Sequence, residues 1–249
     1  MSGWPPLWYT FVRFRAINMG RMIAGVGVFC VLLAGCKEAA RSSVQTPKTP
    51  GGFQDSSVRR SDTRRVILFV GTSLTAGLGV DPDSAYPAVI QRRLDSLHLA
   101  WRAQNAGVSG ETSAGALRRL PWLLQAPFAI LVIETGANDG LRGLNPDSTR
   151  ANIDAIVSAV RAHDSTTRII LVGMEAPPNM GVLFTNRFRS LYPALARKDH
   201  LAFVRFLLAG VAGIDSLNQS DGIHPTPRGH RIVADNVWRV LGPVVESRR

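Results

Sequence analysis

The sequence predicts an α/β fold in which one parallel β-sheet of five strands is covered by helices on both faces. From about residue 64 to residue 245, short apolar runs alternate with longer segments whose apolar residues recur every three or four positions. Some of the runs are continuous rather than alternating, which is typical of strands buried on both faces. Strands separated by helices pair in parallel, because each helical crossover returns the chain to the same edge of the sheet.

The first part of the domain contains two of the predicted strands. The apolar run Val66–Val70 is the first strand, and it leads into a glycine-containing turn. A helix is predicted over Tyr86–Leu97 from its three- and four-residue apolar spacing, and a short strand follows at Trp101–Asn105. Ser113–Leu124 is predicted to be the next helix, which Pro121 should bend or shorten.

The second half continues the alternation. Phe128–Glu134 is predicted to be a strand buried on both faces. The helix after it has the clearest apolar stripe, and either Asp147 or Ser148 can cap it. The remaining elements are a strand at Arg168–Val172, a helix at Thr185–Arg197, a strand at Leu201–Leu207 and a helix at Arg228–Val245. These elements predict one domain over residues 64–249.

Residues 1–35 are predicted to be the signal peptide of a bacterial lipoprotein. Three arginines precede Met22–Gly35, an uncharged apolar run that is too short to span a bilayer comfortably. The segment Leu33-Ala34-Gly35-Cys36 resembles a lipobox, which predicts that Cys36 is lipidated and becomes the first residue of the mature protein. An ordinary signal peptide with a chance cysteine is the alternative. We therefore expect an exported protein anchored to a membrane through Cys36.

Residues 36–63 are predicted to form a flexible tether, because they are rich in small and polar residues and have little apolar content. Lys37 resembles the residue found after the cysteine of lipoproteins that are sent to the outer membrane, on its periplasmic side. The other cysteine, Cys30, leaves with the signal peptide. No disulfide is then expected in the domain, and its stability must come from the core.

The basic charge of the chain does not predict nucleic-acid binding. The net charge is +11, and +8 remains after residues 1–35, which contain three arginines and no acidic residue. Many of the arginines occur as scattered pairs without interleaved aromatic residues, and an exported protein rarely meets nucleic acid. A solvated basic surface with some attraction to anionic lipid headgroups is the expectation.

Four polar blocks follow predicted strands, so a parallel sheet would bring them to one edge. The first presents Ser73, the second contains the glycines of residues 105–112, the third contains Asn138, and the last places Asp221 three residues before His224. Serine needs a base to act as a nucleophile, and the base needs a partner that fixes its tautomer. Backbone N–H groups and an amide can receive the negative charge of an oxyanion.

In their order along the chain, the four blocks resemble those of the SGNH, or GDSL-type, hydrolase family. The closest resemblance is to the branch of thioesterase I, lysophospholipase and arylesterase, which residues 136–143 and 174–179 also resemble. The resemblance implies a three-layer α/β/α sandwich with a flavodoxin-like sheet. It also implies that Ser73 is the nucleophile, that Asp221 and His224 complete a triad, and that Gly110 and Asn138 donate to the oxyanion. The N–H of Ser73 is a further expected oxyanion donor.

Each of these residues also has a purely local interpretation. Ser73 could simply cap a helix. Gly110 could be present only for a positive φ angle, and Asn138 and His224 could be ordinary turn residues. Thr72 departs from the family pattern, which has an aspartate before the serine, and this departure puts the order of the loop and the reaction rate in question.

No cofactor or metal is expected. Asp221, His224 and His230 lack useful helical ligand spacing and a further clustered ligand, so we reject them as a metal site. His230 is expected to lie on a helix end or a surface-like stretch, with a structural role. The expected activity is a serine carboxylic ester hydrolase of the arylesterase, lysophospholipase or acyl-thioesterase type, acting on small-molecule or lipid esters at the cell envelope. Two alternatives are an O-deacetylase of envelope polysaccharide and a catalytically silent binding lipoprotein.

Overall fold

The computed structural model describes residues 62–247. The expectations for the signal peptide, for Cys36 and for almost all of the tether therefore lie outside the described residues. Among the residues that the model describes, no helix combines the length and the apolar character needed to cross a membrane.

The centre of the fold is a five-stranded sheet whose neighbouring strands all pair in parallel. The strands are β1 (Arg65–Gly71), β2 (Trp101–Gly107), β3 (Ile130–Glu134), β4 (Arg168–Val172) and β5 (Ala202–Val204). Their order across the sheet is β2-β1-β3-β4-β5, which is the flavodoxin-like order. The chain reverses its direction of travel across the sheet at β1, and open α/β proteins bind ligands at such a switch point.

Seven helices connect the strands or follow them within residues 62–247. They are α1 (Ser73–Ala76), α2 (Tyr86–Ser96), α3 (Ser113–Leu123), α4 (Ala137–Leu141), α5 (Pro146–His163), α6 (Val182–Lys198) and α7 (Pro227–Glu246). Helix α2 packs against α7, whereas α5 packs against both α3 and α6. The predicted α/β/α sandwich is therefore confirmed.

The sheet forms the centre of the hydrophobic core. All five residues of β3 are buried, and so are the last five residues of β1 and the last four of β4. Phe69 of β1 packs edge-on against Tyr86 of α2, with ring centroids 5.7 Å apart. Glu134 is the exception to the apolar pattern. It has an ionisable side chain and yet is fully buried at the carboxyl end of β3.

Several predicted boundaries differ from the observed ones by one to three residues, and three of them are informative. Helix α5 is capped by Asn145, whose side chain accepts a hydrogen bond from the N–H of Asp147, so the prediction of Asp147 or Ser148 as the cap was wrong. Helix α6 begins three residues before the predicted Thr185. Strand β5 ends at Val204, well short of the predicted Leu207.

Candidate active site

A single tight turn presents Ser73 at the carboxyl end of β1. Gly71 ends the strand, Thr72 is the N-cap of α1, and Ser73 is the first residue of this one-turn helix. The Thr72 hydroxyl accepts a hydrogen bond from the Leu74 N–H at 3.4 Å. Gly77 ends the turn with φ +78°, a conformation that favours glycine. The interpretation of Ser73 as a plain helix cap is therefore wrong, because Thr72 fills that position.

The structure brings three of the predicted residues into one chain of hydrogen bonds. The Ser73 Oγ lies 2.8 Å from His224 Nε2, and His224 Nδ1 lies 2.6 Å from Asp221 Oδ2. The serine comes from the end of β1, whereas the histidine and the aspartate come from the connection between β5 and α7. With Nδ1–H donating to the carboxylate, Nε2 is free to accept from the serine hydroxyl.

The turn that carries Asp221 and His224 is built around the aspartate. Asp221 Oδ1 accepts hydrogen bonds from the N–H groups of Ile223 and His224 at 2.9 and 3.0 Å. Partial burial raises the pKa of Asp221, but these N–H groups and the His224 ring outweigh it and hold the pKa below its usual value. Asp221 is therefore a carboxylate at neutral pH, and it can fix the orientation of the imidazole.

The structure places Gly110, in the loop after β2, close to Asn138, in helix α4 after β3, at the same edge of the sheet. Gly110 follows β2 with φ +77°, a backbone conformation that strains other residues. A positive φ angle is therefore one reason for a glycine at this position. The Asn138 side chain donates from Nδ2 to the Glu111 carbonyl at 2.9 Å. One N–H of this amide therefore holds α4 against the Gly110 loop, and the second N–H remains for a ligand.

Two arginines hold the Gly110 loop in place. Arg142 donates to the carbonyl of Gly110 at 3.0 Å. Arg119 forms a bidentate ion pair with Glu111 at 2.7 and 2.8 Å, and both of these side chains are largely buried. Neither contact could be predicted from the sequence pattern. In each case the arginine lies in or directly after a helix, and its partner lies in the loop after β2.

Asp139, next to Asn138, joins three helices below the site. Its carboxylate accepts hydrogen bonds from the Ser113 N–H and hydroxyl at 2.8 and 2.5 Å and from the Thr149 hydroxyl at 3.1 Å. These partners begin α3 and lie in the first turn of α5, whereas Asp139 lies in α4. This buried network fixes Asn138 relative to the Gly110 loop.

A second buried carboxylate, Glu134, lies directly beneath the nucleophile turn. It accepts hydrogen bonds from the Thr72 N–H at 2.8 Å, the Thr72 hydroxyl at 3.0 Å and the Thr75 hydroxyl at 2.9 Å. Burial raises the pKa of Glu134 to about 7, although these hydrogen bonds oppose the shift. Sequence reasoning assigned this residue to an apolar strand and missed its contact with the turn. A lone charged residue at the end of a fully buried strand was the available signal.

His230 lies in the first turn of α7, so the expectation of a helix end is met, but the side chain is buried rather than surface-like. Its side chain is only 1% exposed, on α7, and burial lowers its pKa to about 4, with a smaller contribution from His224. Within residues 62–247, no three histidine, cysteine, aspartate or glutamate side chains are grouped as metal ligands.

Most of the exposed large apolar side chains lie on the segments that follow the strands. The described residues expose ten large hydrophobic side chains, and eight of them lie on the segments that run from the end of a strand into the next long helix. They are Leu78, Val108, Leu141, Leu144, Val182, Leu183, Ile214 and Ile223. Val182 and Leu183 are 73% and 84% exposed. We call these eight residues the apolar rim.

Comparison with known proteins identifies related enzymes. The model of the GDSL-like lipase/acylhydrolase family matches residues 69–232. The chain is 38% identical to the esterase TesA of Pseudomonas aeruginosa over 182 residues, which cover 73% of this chain and 90% of that protein. It is 32% identical to thioesterase 1/protease 1/lysophospholipase L1 of Escherichia coli over 188 residues, which cover 75% and 88% of the two chains.

A solved structure shares the fold. The psychrotrophic esterase EstA from Pseudoalteromonas sp., in a structure described as inhibited by monoethylphosphonate, is 30% identical, with a TM-score of 0.69. The match covers 73% of this chain and 99% of that one. The relatives therefore align with nearly their whole length on the domain that carries the candidate site.

Proposed function

We propose a function that starts from the family of the chain: it belongs to the GDSL-like lipase/acylhydrolase family. The chain is a carboxylic ester hydrolase, and the proposal is that it works by Ser–His–Asp acyl transfer. The observation that carries the proposal is the continuous hydrogen-bonded path from Ser73 through His224 to Asp221, with its two links of 2.8 and 2.6 Å.

In the proposed reaction, His224 Nε2 takes the proton of the Ser73 hydroxyl while the serine oxygen attacks the ester carbonyl. Asp221 stabilises the imidazolium that forms. The imidazolium then gives its proton to the leaving alcohol, and an acyl group remains on Ser73. Water, activated by the same histidine, hydrolyses this acyl-enzyme and restores the serine hydroxyl.

The oxyanion of each tetrahedral intermediate would be stabilised by three donors. They are the N–H of Ser73, the N–H of Gly110 and the side-chain amide of Asn138. The Ser73 N–H belongs to the first turn of α1, where backbone N–H groups have no partner within the helix. The link from Asn138 to the Glu111 carbonyl supports this role, because it keeps the amide beside the Gly110 loop.

The apolar rim favours esters with an apolar acyl or aryl group as substrates. All five segments that follow the strands contribute to the rim, so an apolar group bound near Ser73 could contact it from several sides. Burial of apolar surface stabilises such a complex by about 25 cal/mol per Å². A lysophospholipid fits this description better than a polysaccharide does, because a glycan offers few apolar groups.

The experiment that tests the mechanism is the substitution Ser73→Ala. We expect kcat for a short-chain aryl ester to fall by roughly 10⁴-fold or more, because no other group replaces the nucleophile. The far-ultraviolet circular dichroism spectrum should stay unchanged. Ser96→Ala, which removes an exposed hydroxyl at the end of α2, is the control and should keep full activity. Turnover at the wild-type rate in Ser73→Ala would exclude the mechanism.

A fluorophosphonate probe and a substrate panel separate the alternatives. Labelling of Ser73 supports the hydrolase, and the inhibition of EstA by a phosphonate supports the choice of probe. A chain that is not labelled at all would be the silent binding lipoprotein. Faster hydrolysis of an acetylated glycan than of a lysophospholipid would favour the O-deacetylase.

The location at the cell envelope rests on the sequence pattern around Cys36. We expect the full chain, expressed in a bacterium with two membranes, to sediment with the membranes and to incorporate labelled fatty acid. Cys36→Ala should abolish both properties, since the thiol is the site of lipid attachment. Cys30→Ala is the matched control and should change neither. Labelling of the Cys36→Ala chain would contradict the lipoprotein proposal.

A further inference from the structure

The nucleophile turn rests on a carboxylate that the proposed mechanism does not use. Glu134 ends β3, next to β1, and its side chain is fully buried. The space it occupies is closely fitted, because a Cβ atom on Gly71 would lie 2.6 Å from Glu134 Oε2. Only glycine fits at the end of β1 while the carboxylate stays in this position.

Every hydrogen bond to the Glu134 carboxylate within residues 62–247 comes from the nucleophile turn. The donors are the Thr72 N–H, the Thr72 hydroxyl and the Thr75 hydroxyl, with a further contribution from the Thr75 N–H. Because the Thr75 hydroxyl donates to Glu134, its oxygen accepts from the hydroxyl of Tyr86 at 2.9 Å. The turn therefore presents donors, and the ionised carboxylate provides the acceptors that they require.

Protonation of Glu134 would break this match. A protonated carboxyl has one O–H of its own, which then faces donors. The Thr72 oxygen already accepts from the Leu74 N–H, so the extra proton competes with that helix-capping bond. The conflict falls on Thr72, the residue directly before Ser73, and on the cap that starts α1.

We propose that Glu134 is a positioning residue for the nucleophile, and that only its ionised form holds Thr72 and the α1 turn in the geometry that aims Ser73 at His224. The proposal rests on the proposed Ser–His–Asp mechanism. It also explains how the turn is ordered although Thr72 replaces the aspartate of the family pattern. The threonine carries no charge, and the charge that orders its turn comes from Glu134 on the neighbouring strand.

The two tyrosine hydroxyls near Glu134 stay protonated over the assay range. Tyr86 on α2 and Tyr192 on α6 both face it, and burial raises the pKa of each hydroxyl, with the Glu134 charge adding to the effect. Asp139 on α4 acts on the same Tyr192 hydroxyl and is held by its own donors from Ser113 and Thr149. Burial raises the pKa of Glu134 itself to about 7, which places its protonation within the assay range.

The test compares the pH dependence of kcat/KM in the wild-type chain and in Glu134→Gln. The glutamine has nearly the same shape but is neutral at every pH, as protonated glutamate is. In the wild type, loss of activity at acid pH includes the protonation of Glu134 as well as that of the catalytic base, so the log–log slope should exceed one over the pH range in which Glu134 is protonated. In Glu134→Gln the slope should be about one, with kcat lower by about tenfold at pH 8 and KM little changed.

Glu175→Gln is the matched control, because it removes an exposed carboxylate that follows β4 at the same edge of the sheet. Its slope and kcat should equal those of the wild type. If Glu134 had a purely structural role, Glu134→Gln would have a lower melting temperature, but the folded variant would keep the wild-type kcat and the wild-type slope of log kcat/KM against pH. That result would overturn the proposal.

A second pair of variants does not depend on the folding of Glu134→Gln. Thr72→Val removes the hydroxyl that donates to Glu134, whereas Thr72→Ser keeps it. We expect kcat to fall by about tenfold in the valine variant and to recover in the serine variant. Equal kcat values in the two variants would overturn the proposal.

The rate at which a fluorophosphonate labels Ser73 separates this proposal from the mechanism on which it rests. An unlabelled wild-type chain would contradict the proposed mechanism. Labelling that shows the same slope against pH in the wild type and in Glu134→Gln would contradict the positioning role of Glu134 alone. A slope that exceeds one in the wild type and falls to about one in Glu134→Gln would support both.

Discussion

Asn138 is the residue whose side chain connects the structure of the site to its chemistry. One N–H of its amide donates to the Glu111 carbonyl, and the second is available to an oxyanion. An amide at this point acts only when negative charge develops on the substrate oxygen. Its removal should therefore affect the transition state much more than the binding of the substrate.

We expect Asn138→Ala to lower kcat by about 10²- to 10³-fold, which corresponds to about 2.7–4 kcal/mol in the barrier, with little change in KM. Steady-state kinetics on an aryl ester measure both constants. Asn186→Ala, an exposed asparagine on α6, is the control and should keep the wild-type kcat. A change in KM alone would show that Asn138 binds the substrate without serving the oxyanion.

At the scale of single residues, the motifs indicated the correct positions but not their environment. Ser73, Asp221 and His224 were predicted from local sequence, and the structure joins them by hydrogen bonds. The sequence pattern predicts Glu134 only as part of an apolar strand and His230 as a residue of a helix end or surface-like stretch, whereas the structure buries both side chains. Burial depends on what packs against a residue from elsewhere in the chain, which local patterns do not contain.

At the scale of elements, periodic patterns predicted the helices and strands well, but their ends less well. The cap of α5 shows why, because Pro146 occupies the first helical position and Asn145 precedes it. That signal was in the sequence and was missed. Helix α6 begins early because Gly181 turns the chain with φ +86°, and the residues that follow it are exposed and show no apolar period.

Strand β5 is short for a reason that only the folded chain shows. Beyond Val204 the backbone passes over Gly173, where a Cβ atom would lie 3.1 Å from the Val204 carbonyl oxygen. The Leu207 N–H then donates to the Gly173 carbonyl at 3.0 Å. The chain leaves the edge of the sheet at this point although its apolar residues continue, so the sequence pattern overestimated the strand.

For the molecule as a whole, Glu134 and His230 give opposite contributions to the pH dependence of stability. The pKa of Glu134 is about 7 in the folded chain and 4.5 when unperturbed, so between these values only the unfolded chain releases the proton. The free energy of unfolding therefore falls as the pH rises from 4.5 to 7. The pKa of His230 is about 4 instead of 6.5, so its contribution is lost as the pH falls from 6.5 to 4.

We therefore expect Glu134→Gln to gain stability relative to the wild type as the pH rises through this range, by about 3 kcal/mol in total. His230→Gln should gain relative stability as the pH falls, by a similar amount. Urea unfolding at several pH values between 4 and 8 measures both differences. Parallel stability curves for a variant and the wild type would show that the buried group does not titrate as described.

The sequence by itself determined the α/β class, the alternation of elements and the four polar blocks, because apolar periodicity and turn residues are local properties of a chain. It also carried the resemblance to the family. Only the tertiary structure decided what lies beneath Ser73. The hydrogen bonds from Thr72 to Glu134 join residues 62 positions apart. They form because parallel pairing places β3 beside β1, and a buried carboxylate must then take its donors from whichever backbone the fold brings to it.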